Sequence, residues 1–531
     1  MSRILISAAH KSSGKTTVSI GLCAALRNRG LAVQPFKKGP DYIDPMWLSV
    51  ASGRSCRNLD FFMMGQDEIV AEFQRHSDGA NLSLIEGNKG LYDGLNLDGS
   101  NSNAALARLL QAPVVLVIDA RGMTRGIAPL ILGYQAFDRN INIAGVILNN
   151  LGGDRHESKL RAVIEHYTDV PVIGAVHHDK RLEIVERHLG LMPSNEAEAA
   201  TRRVNEIGEL VGAQVDLDKL LEIAASAPPL PEPLAGCPHL NPLDHSQRLL
   251  PLPPLPPGEG WGEGSPTGGS NPHPNLLPKG EGANVEGACF DLLGDAKASV
   301  RIGWARDKAF GFYYADDLEA LRAAGAELVP LDTLHDPHLP EVDGLFIGGG
   351  FPELFMSELE ANTTLREEIG SAIENGMPVY AECGGLMYLA RTLTWHGEKR
   401  SMVGVIPGDV VMHEKPVGRG YIRLEETGAN PWPTLAGSSP VPEVRGHEFH
   451  YSSLDNLDAS GLKYAYEVKR GHGIDGHHDG IVYKNLLASY AHLRSLGAYN
   501  WAARFVAFVR SKAQGADKPL DGSARRHERA A

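Results

Sequence analysis

The first third of the chain alternates short apolar runs with longer helical patterns, and this alternation constrains the fold more than any other feature. Five runs are too short to be helices and end in polar or glycine-rich turns: 3–7, 82–86, 113–119, 143–149 and 170–175. Strands separated by helical crossovers are typical of βαβ units, whose strands are parallel. The pattern therefore predicts an α/β fold that binds its ligands at the carboxyl ends of the strands.

Length and composition predict two folded domains. The chain has 531 residues, whereas a domain averages about 150. From about 228 to 284 it is rich in proline and glycine and lacks periodicity, which favours a disordered segment. A proline-rich ligand for a partner protein is the alternative. Because strand and helix patterns resume at Ser299, we expect domains at 1–227 and 299–512, a linker or insert at 228–298 and a disordered tail at 513–531.

The second domain also has an α/β pattern in its first part. A strand near 299 precedes a predicted helix at 314–324, a strand at 343–347, a helix at 353–375 and a strand at 377–381. A portion richer in β-strand follows, and the last predicted helix runs from about 500 to 512. The chain as a whole is therefore expected to contain two α/β domains.

Charge and composition exclude several classes of protein. The formal net charge of −14 supplies no general basic field for nucleic acid. The five cysteines are scattered and contain no C-x-x-C pair for zinc or redox chemistry. No stretch approaches the roughly 20 continuous apolar residues that a membrane helix needs. We expect a cytoplasmic protein that binds neither nucleic acid nor membrane.

A phosphate-binding loop is predicted directly after the first strand. Residues 7–17 read SAAHKSSGKTT and lead into a helical pattern, with Ala9 in place of the first glycine of G-x-x-x-x-G-K-[ST]. In such a loop, backbone N–H groups and the lysine face the phosphates of ATP, while the hydroxyl after the lysine holds Mg²⁺. An ordinary turn and helix cap is the alternative. The expected ATP-binding residues are Ser12, Ser13, Gly14, Lys15, Thr16, Thr17 and, for the adenine edge, Asn149.

Acidic residues near the strand ends predict metal and substrate binding beside this loop. Glu86 ends one strand and Asp93 follows it, while Asp41 and Asp44 lie in the segment KKGPDYIDP. Carboxylates are suitable ligands for Mg²⁺, although aspartates also cap turns around prolines. Asp119, at the end of another strand, is a candidate second metal partner. The predicted metal ligands are Thr16, Asp41 and Glu86, and the predicted substrate or phosphate-site carboxylates are Asp41, Asp44, Glu86 and Asp93.

A cysteine nucleophile is predicted in the second domain. Cys383 lies in PVYAECGGL, which is typical of a strand, a sharp turn and a helix. A helix N-terminus lowers the pKa of a thiol, although a buried structural cysteine is the alternative. The strand ending in GGGFPE precedes it, and glycines there allow backbone N–H groups to bind an oxyanion. The predicted oxyanion donors are Gly349, Gly350, Phe351 and Gly384.

Such a thiol needs a histidine as its base, and several histidines follow it in the chain. His492 closes the last short strand, from which it can approach Cys383. His472, His477 and His478 lie close together in sequence, but they lie in a predicted loop, and a metal site there is not adopted. Residue spacing alone does not choose between His492 and the others, which are His447, His450, His472, His477 and His478.

Together these motifs resemble the cobyrinic acid a,c-diamide synthases, which are glutamine-dependent amidotransferases of corrin biosynthesis. The resemblance covers nearly everything except the insert and the tail. It is carried by KKGPDYIDP at 37–45, EGNKGLYDG at 86–94, GGGFPE at 348–353 and AECGGLMYL at 381–389. It implies an N-terminal P-loop domain similar to dethiobiotin synthetase and a C-terminal domain similar to class I glutamine amidotransferases.

The resemblance also implies roles for the catalytic residues. The segment LASYAHL identifies His492 as the base for Cys383. Arg494 stands where the family often has a second histidine, and the H-x-E acid of other glutaminases is absent. A Cys383–His492 dyad is therefore predicted, with its third member open.

The implied activity is the ATP- and glutamine-dependent amidation of the a and c carboxylates of cobyrinic acid through acyl phosphates, with Mg²⁺. The expected partners are small molecules, namely the corrinoid, ATP and L-glutamine, and a homodimer is allowed. Hydrogenobyrinic acid or a nickel sirohydrochlorin is the alternative substrate within this class. Outside it, a partitioning-type ATPase switch remains, although the second lysine of such switches would fall at His10.

Overall fold

A computed structural model describes residues 1–184, 186–187, 190–191, 194, 200–230, 299–435, 443–496 and 499–516. These described residues form one compact unit. Residues 236–298 lie outside the described residues. The predicted linker from 231 onward also lies outside them. The predicted tail is wrong for residues 513–516, which continue the last helix, Trp501–Ala516, and the rest of that tail lies outside the described residues.

The N-terminal half contains strands and helices in strict alternation through its first 177 residues. They are β1 (Arg3–Ala8), α1 (Lys15–Asn28), β2 (Val33–Lys38), α2 (Ile43–Ser52), β3 (Arg57–Leu59), α3 (Gln66–Ser77), β4 (Leu82–Glu86), α4 (Asn103–Leu109), β5 (Val114–Asp119), α5 (Ile127–Phe137), β6 (Ile143–Leu151), α6 (Asp154–Tyr167) and β7 (Val172–His177). The short strands β8 (Glu186–Arg187) and β9 (Gly190–Leu191) and the helices α7 (Ala200–Gly212) and α8 (Leu217–Ala225) follow.

One seven-stranded sheet organises this half, in the order β3-β2-β4-β1-β5-β6-β7, and every pairing in it is parallel. The predicted parallel sheet is therefore confirmed. The run 82–86 coincides with β4, and the other four predicted runs differ from their strands by one or two residues at one end or at both. Strands β2 and β3 are not among the five runs, and the three residues of β3 are too few to show a pattern.

Both faces of this sheet are covered, as its apolar strands require. Along β1, Ile4 and Ile6 belong to one buried cluster and Leu5 to the other. Helices α1 and α7 pack closely, since a Cβ on Gly208 would lie 2.7 Å from the Cβ of Ala24. Rigid packing behind the strands fixes the positions of the loops at their carboxyl ends.

The C-terminal half begins with β10 (Val300–Ala305), β11 (Phe310–Phe312), α9 (Ala315–Ala323), β12 (Ala326–Leu331), β13 (Gly344–Ile347), β14 (Gly349–Gly350), α10 (Met356–Ala361), α11 (Thr363–Glu374), β15 (Val379–Glu382) and α12 (Gly384–Leu389). It continues with β16 (Ala390–Trp395), β17 (Glu398–Ser401), β18 (Ile406–Met412), β19 (Gly418–Glu426), β20 (Val444–His450), β21 (Ser452–Asp455), β22 (Lys463–Arg470), β23 (His478–Tyr483), β24 (Leu486–Ser489) and α13 (Trp501–Ala516).

A nine-stranded mixed sheet forms the centre of this half, in the order β12-β10-β13-β15-β24-β23-β22-β19-β20. The first five strands are parallel, and the strands from β24 to β20 pair antiparallel. A separate four-stranded sheet has the order β17-β16-β18-β21. Among the described residues, no helix has the length and apolar character needed to cross a bilayer.

The single helix predicted at 353–375 is wrong. A short 3-10 turn at Pro352–Phe355 precedes α10, and Asn362 then separates α10 from α11 with a backbone ψ of 63°. The side-chain amide of Asn362 donates to the carbonyl oxygens of Thr333 and Asp336, both at 3.0 Å. These tertiary hydrogen bonds stabilise the break, and helical periodicity on either side of it gave no sign of them.

Candidate functional site

The predicted phosphate loop and the predicted cysteine line the same cavity, which has a volume of about 2030 Å³. The loop lies between β1 and α1, at the carboxyl end of a central strand. Cys383 lies between β15 and α12, at the carboxyl end of a strand of the other sheet. The lining includes residues 11–17, 37–44, Asp93, Gly350, Cys383 and His492.

The loop has the backbone shape that its sequence requires. Gly14 has a φ of +80° immediately before α1, and a Cβ at this position would lie 2.1 Å from Nδ2 of Asn149. Asn149 Nδ2 donates to the carbonyl oxygen of Ser13 at 2.9 Å. Asn149 thus holds the loop against the end of β6, whereas sequence reasoning assigned its side chain to the adenine edge.

Two carboxylates, those of Glu86 and Asp44, contact residues of the loop, and Asp41 lies beside them. The Thr16 hydroxyl donates to Oε1 of Glu86 at 2.7 Å and contacts Oδ2 of Asp44 at 3.3 Å. Lys15 Nζ lies 3.5 Å from Oε1 of Glu86. Asp41 is held by its own turn, where its Oδ1 accepts a hydrogen bond from the backbone N–H of Asp44 at 3.1 Å.

Lys37 is a site residue whose role was not apparent from the motif KKGPDYIDP. Its buried ammonium forms ion pairs with Asp44, with Glu86 at 2.9 Å and with Asp41 at 3.6 Å. Burial lowers the pKa of Lys37, but these three carboxylates hold it well above its usual value. Burial lowers the pKa of Lys15, against the opposing effect of Glu86. The cluster therefore has two cations beside its three carboxylates.

The carboxylates differ in their electrostatics. Burial and the charge of Asp44 raise the pKa of Asp41 to about 7, against the opposing effect of Lys37. Burial also acts to raise the pKa of Asp44, but Lys37 and Lys15 lower it below its usual value. Asp41 therefore keeps its proton to a higher pH than a free aspartate does.

The cluster fits a magnesium ion by the chemistry of its donors. Mg²⁺ prefers oxygen ligands, and Thr16, Asp41, Asp44 and Glu86 supply only oxygen. Within the described part of the chain, the buried Oε2 of Glu86 has no hydrogen-bond partner. An unpaired buried carboxylate oxygen is costly unless a cation or a donor binds it. The predicted ligand set is thus compatible with Mg²⁺ beside the phosphates.

The two other predicted carboxylates, Asp93 and Asp119, form contacts of their own. Asp93 borders the cavity and accepts a hydrogen bond from the backbone N–H of Gly90 at 2.9 Å, so it also closes a local turn. Asp119 forms an ion pair with Arg121. Burial acts to raise the pKa of Asp119, but hydrogen bonds from Arg121 lower it below its usual value. Asp119 is not among the residues that line the cavity.

Cys383 occupies a strained turn between strand and helix. Its φ is +48° and its ψ is −100°, a conformation that side-chain-bearing residues rarely adopt. Its backbone N–H donates to the carbonyl oxygen of Ser489 at 2.7 Å, which ties the turn to β24. A Cβ on Gly385 would lie 2.1 Å from the carbonyl oxygen of Ile347, so only glycine fits there. These contacts present the thiol to the cavity.

Three of the four predicted oxyanion residues lie together around Cys383. A Cβ on Gly384 would lie 3.0 Å from the backbone nitrogen of Gly350, and one on Gly349 would lie 2.6 Å from Cε1 of His492. Phe351 differs, because its N–H donates to the carbonyl oxygen of Ala309 at 2.9 Å. The Phe351 N–H is therefore already used within the fold, whereas Gly350 lies against Gly384, the residue after Cys383, and Gly349 lies against His492.

His492 is the histidine that reaches Cys383. Its backbone forms a two-way bridge with His447, in which the hydrogen bonds measure 2.8 and 3.1 Å. Its Nδ1 lies 3.4 Å from Oε2 of Glu382, an ion-pair contact without the alignment of a hydrogen bond. Burial opposes the charged form, but contact with the Cys383 thiol and the Glu382 carboxylate raises the pKa of His492 to about 10.

Glu382 is the carboxylate that lies beside His492, and it is the candidate for the third member that the sequence left open. It is 2% exposed, and its Oε1 accepts hydrogen bonds from the Tyr380 hydroxyl and from the backbone N–H of Leu493 at 3.0 Å. These bonds fix the carboxylate beside the imidazole. Glu382 stands directly before Cys383, whereas the acid of the H-x-E motif in other glutaminases stands two residues after the histidine.

Arg494 has a different function from a second histidine. Its guanidinium forms a buried ion pair with Asp316 and donates to the carbonyl oxygen of Asn58. Arg57 forms an ion pair with the same Asp316 at 2.8 Å. The segment that carries His492 is thereby attached to the N-terminal half.

Tyr42 connects the two catalytic regions within the same unit. It lies between Asp41 and Asp44 in sequence, and its ring centroid is 5.2 Å from that of His492. The His447 ring stacks on His492 with a centroid distance of 4.9 Å. Of the other candidate histidines, His450 stacks on Tyr490 instead. None of His450, His472, His477 and His478 is among the residues that line the cavity.

Comparison with known proteins finds relatives for both halves. Residues 4–191 match a CobQ/CobB/MinD/ParA nucleotide binding domain, and residues 301–498 match a CobB/CobQ-like glutamine amidotransferase domain. A protein of Magnetococcus marinus named cobyrinate a,c-diamide synthase is 45% identical to the chain, and the alignment covers 96% of this chain and 97% of that protein. Proteins of the same name from Methanosarcina acetivorans and Listeria innocua are 39% and 36% identical, with 95% and 93% of this chain and 94% and 96% of theirs covered.

Proposed function

The chain belongs to the family of cobyrinate a,c-diamide synthases, and from this premise we propose which of its residues carry out the amidation. The family resemblance that the motifs predicted is confirmed by relatives that match nearly the whole chain. The activity is an ATP- and glutamine-dependent amidation of a corrinoid in cobalamin biosynthesis. The observation that best supports the residue assignments is the single cavity lined by both Lys15 and Cys383.

In the N-terminal half, a carboxylate of the corrinoid attacks the γ-phosphorus of ATP and ADP leaves. This step is needed because a free carboxylate is a poor electrophile for ammonia. Lys15 and the backbone N–H groups of the loop bind the phosphates, and Lys37 holds Asp44 and Glu86 in place. When bound by Thr16, Asp41 and Glu86, Mg²⁺ would neutralise charge on the phosphates.

In the C-terminal half, the Cys383 thiolate attacks the side-chain amide carbon of glutamine. The imidazolium of His492, kept charged by Glu382, gives its proton to the departing ammonia. Backbone N–H groups near Gly350 and Gly384 stabilise the oxyanion. Water then hydrolyses the thioester and releases glutamate.

Ammonia next attacks the acyl phosphate and inorganic phosphate leaves, which forms the carboxamide. The shared cavity supports an internal route, because ammonia released beside Cys383 need not cross bulk solvent to reach the loop. Two rounds, at the a and c side chains, yield the diamide for which the relatives are named.

We further propose that residues 1–227 and 299–512 are the synthetase and glutaminase domains, which the separate matches at 4–191 and 301–498 support. The substrate is proposed to be cobyrinic acid, with hydrogenobyrinic acid as the second candidate. A partitioning-type ATPase switch is not favoured, since a switch has no use for Cys383 and His492. A homodimer and a cytoplasmic location stay predictions of the sequence.

The test compares the parent protein with Cys383→Ala on cobyrinic acid and, separately, on hydrogenobyrinic acid with Mg·ATP. The expected result is that one corrinoid gains two carboxamides by mass spectrometry, and that the variant does so only with ammonium. Glutamine hydrolysis without a change in either corrinoid would contradict the proposed substrates. Glutamine-dependent amidation by the variant would contradict the role of Cys383.

A further inference from the structure

Three neighbouring strands present arginines on one face beside the catalytic cavity. In β19, Arg419 and Arg423 alternate with the buried Ile422 and Leu424 and are exposed. Across the sheet, Arg423 is directly opposite Arg445 of β20, and it pairs with Arg470 of β22 where the register between β19 and β22 shifts. Arg445 and Arg470 both lie over the ring of Phe62, so these four side chains are treated as one surface, here called the arginine face.

The arginine face is short of compensating charge. Directly opposed like charges destabilise a sheet, because their Cβ atoms are only about 5 Å apart. Glu443 forms ion pairs with Arg423 and with Arg445, the latter at 2.9 Å. Among the described residues, Arg419 and Arg470 form no ion pair. The guanidinium groups of Arg419 and Arg470 are therefore available to an anionic ligand.

The arginine face borders the catalytic cavity. Arg419, Arg445 and Arg470 line the cavity that also contains the phosphate loop and Cys383. On the other side, Lys38 and Lys89 line it at the carboxyl ends of β2 and β4. Burial and the charges of Lys89 and Lys37 lower the pKa of Lys38 to about 8, despite the opposing effect of Asp60.

Aromatic rings lie among these cations. Phe62 stacks on Tyr421 with a centroid distance of 4.3 Å, and the guanidinium groups of Arg445 and Arg470 lie 5.7 and 6.0 Å from the Phe62 ring centroid. Arg419 lies 5.6 Å from the centroid of Phe449. These cation–π contacts position the guanidinium groups of the arginines beside the rings.

We infer that the arginine face binds the carboxylates of the corrinoid that are not being amidated, and so orients the ring with a reacting carboxylate toward Lys15. This inference rests on the proposed function. Guanidinium groups bind carboxylates through paired hydrogen bonds, and aromatic surface suits a flat macrocycle. The face thereby distinguishes a polycarboxylate from a neutral ring of the same shape.

The test is equilibrium binding of cobyrinic acid and of its fully methyl-esterified form, without ATP, followed by the visible absorbance of the corrinoid. The double variant Arg419→Gln/Arg470→Gln is compared with the parent and with Lys463→Gln, which removes an exposed cation of β22 that does not line the cavity. Each arginine is expected to contribute roughly fivefold, so the double variant should bind cobyrinic acid more than tenfold more weakly.

The Lys463→Gln control should bind as the parent does. Only the parent and this control should prefer the acid to the ester, and rising salt should weaken their binding more than that of the double variant. The melting temperature of the double variant should not fall below that of the parent, which shows that the variant is folded.

If the double variant bound cobyrinic acid within twofold of the parent, the role of the arginine face would be overturned, and the proposed function would stand. If the parent itself failed to bind the corrinoid, the proposed substrate would be overturned, and this inference with it.

Discussion

Glu382→Gln removes the charge that stabilises the imidazolium of His492 while keeping the shape of the side chain. The carboxylate lies 3.4 Å from Nδ1 of His492, and both side chains are 3% exposed. At an effective dielectric constant of about 20, unit charges at this distance attract by about 5 kcal/mol. Because Glu382 also accepts hydrogen bonds from Tyr380 and Leu493, its charge is partly spread, and we expect about 3 to 4 kcal/mol at the transition state.

The expected loss in glutaminase kcat is therefore roughly 10²- to 10³-fold. Ammonium-dependent amidation should be unchanged, since it does not use the thiol. The high-pH limb of the glutaminase profile should move to lower pH, because the pKa of His492 would fall from about 10. Initial rates of glutamate release across pH would measure both effects, with the melting temperature as a check on folding. A kcat within threefold of the parent, together with an unchanged pH profile, would refute this role for Glu382.

Three further outcomes are expected. Lys15→Ala should abolish amidation by either nitrogen donor while Cys383 still hydrolyses glutamine, and retained ammonium-dependent amidation would contradict the ATP site. Tyr42→Ala should increase the hydrolysis of glutamine that is not followed by amidation, because Tyr42 packs on His492 and lies between Asp41 and Asp44 in sequence. An unchanged ratio of glutamate to amide would contradict this coupling. Asp41→Asn should increase thermal stability, since the pKa of Asp41 rises from 3.8 when unfolded to about 7 when folded, and the ionised carboxyl destabilises the fold progressively from about pH 4 to pH 7. The gain in melting temperature should be present at pH 8 and absent at pH 4, and a gain that is equal at both would refute the assignment.

The parallel sheet and the two loops were predictable because they depend on local patterns. The strand 82–86, the loop around Lys15 and the turn at Cys383 each combine an apolar run with a glycine-rich turn, and both features are visible in a few residues. The break at Asn362 was not predictable, because hydrogen bonds to Thr333 and Asp336, far away in sequence, stabilise it.

The remaining site residues depend on how distant strands align. Glu382 meets His492 only because β15 and β24 pair in parallel with Glu382 opposite Ser489. The arginine face likewise requires the register that aligns Arg445 and Arg470 with Arg423. Asn149 is a further case, since its place at a strand end suggested a contact with the adenine edge, and its hydrogen bond to Ser13 was not predicted. Long-range register is the information that one sequence did not supply.

The most direct test of the account is the fate of the amide nitrogen of glutamine. The protein would receive glutamine labelled with ¹⁵N at the amide, cobyrinic acid, Mg·ATP and unlabelled ammonium at a concentration far below its KM. If ammonia passes through the cavity shared by Cys383 and Lys15, both new carboxamides should carry ¹⁵N undiluted by the ammonium. Carboxamides with the isotopic composition of the mixed solvent pool would contradict the account.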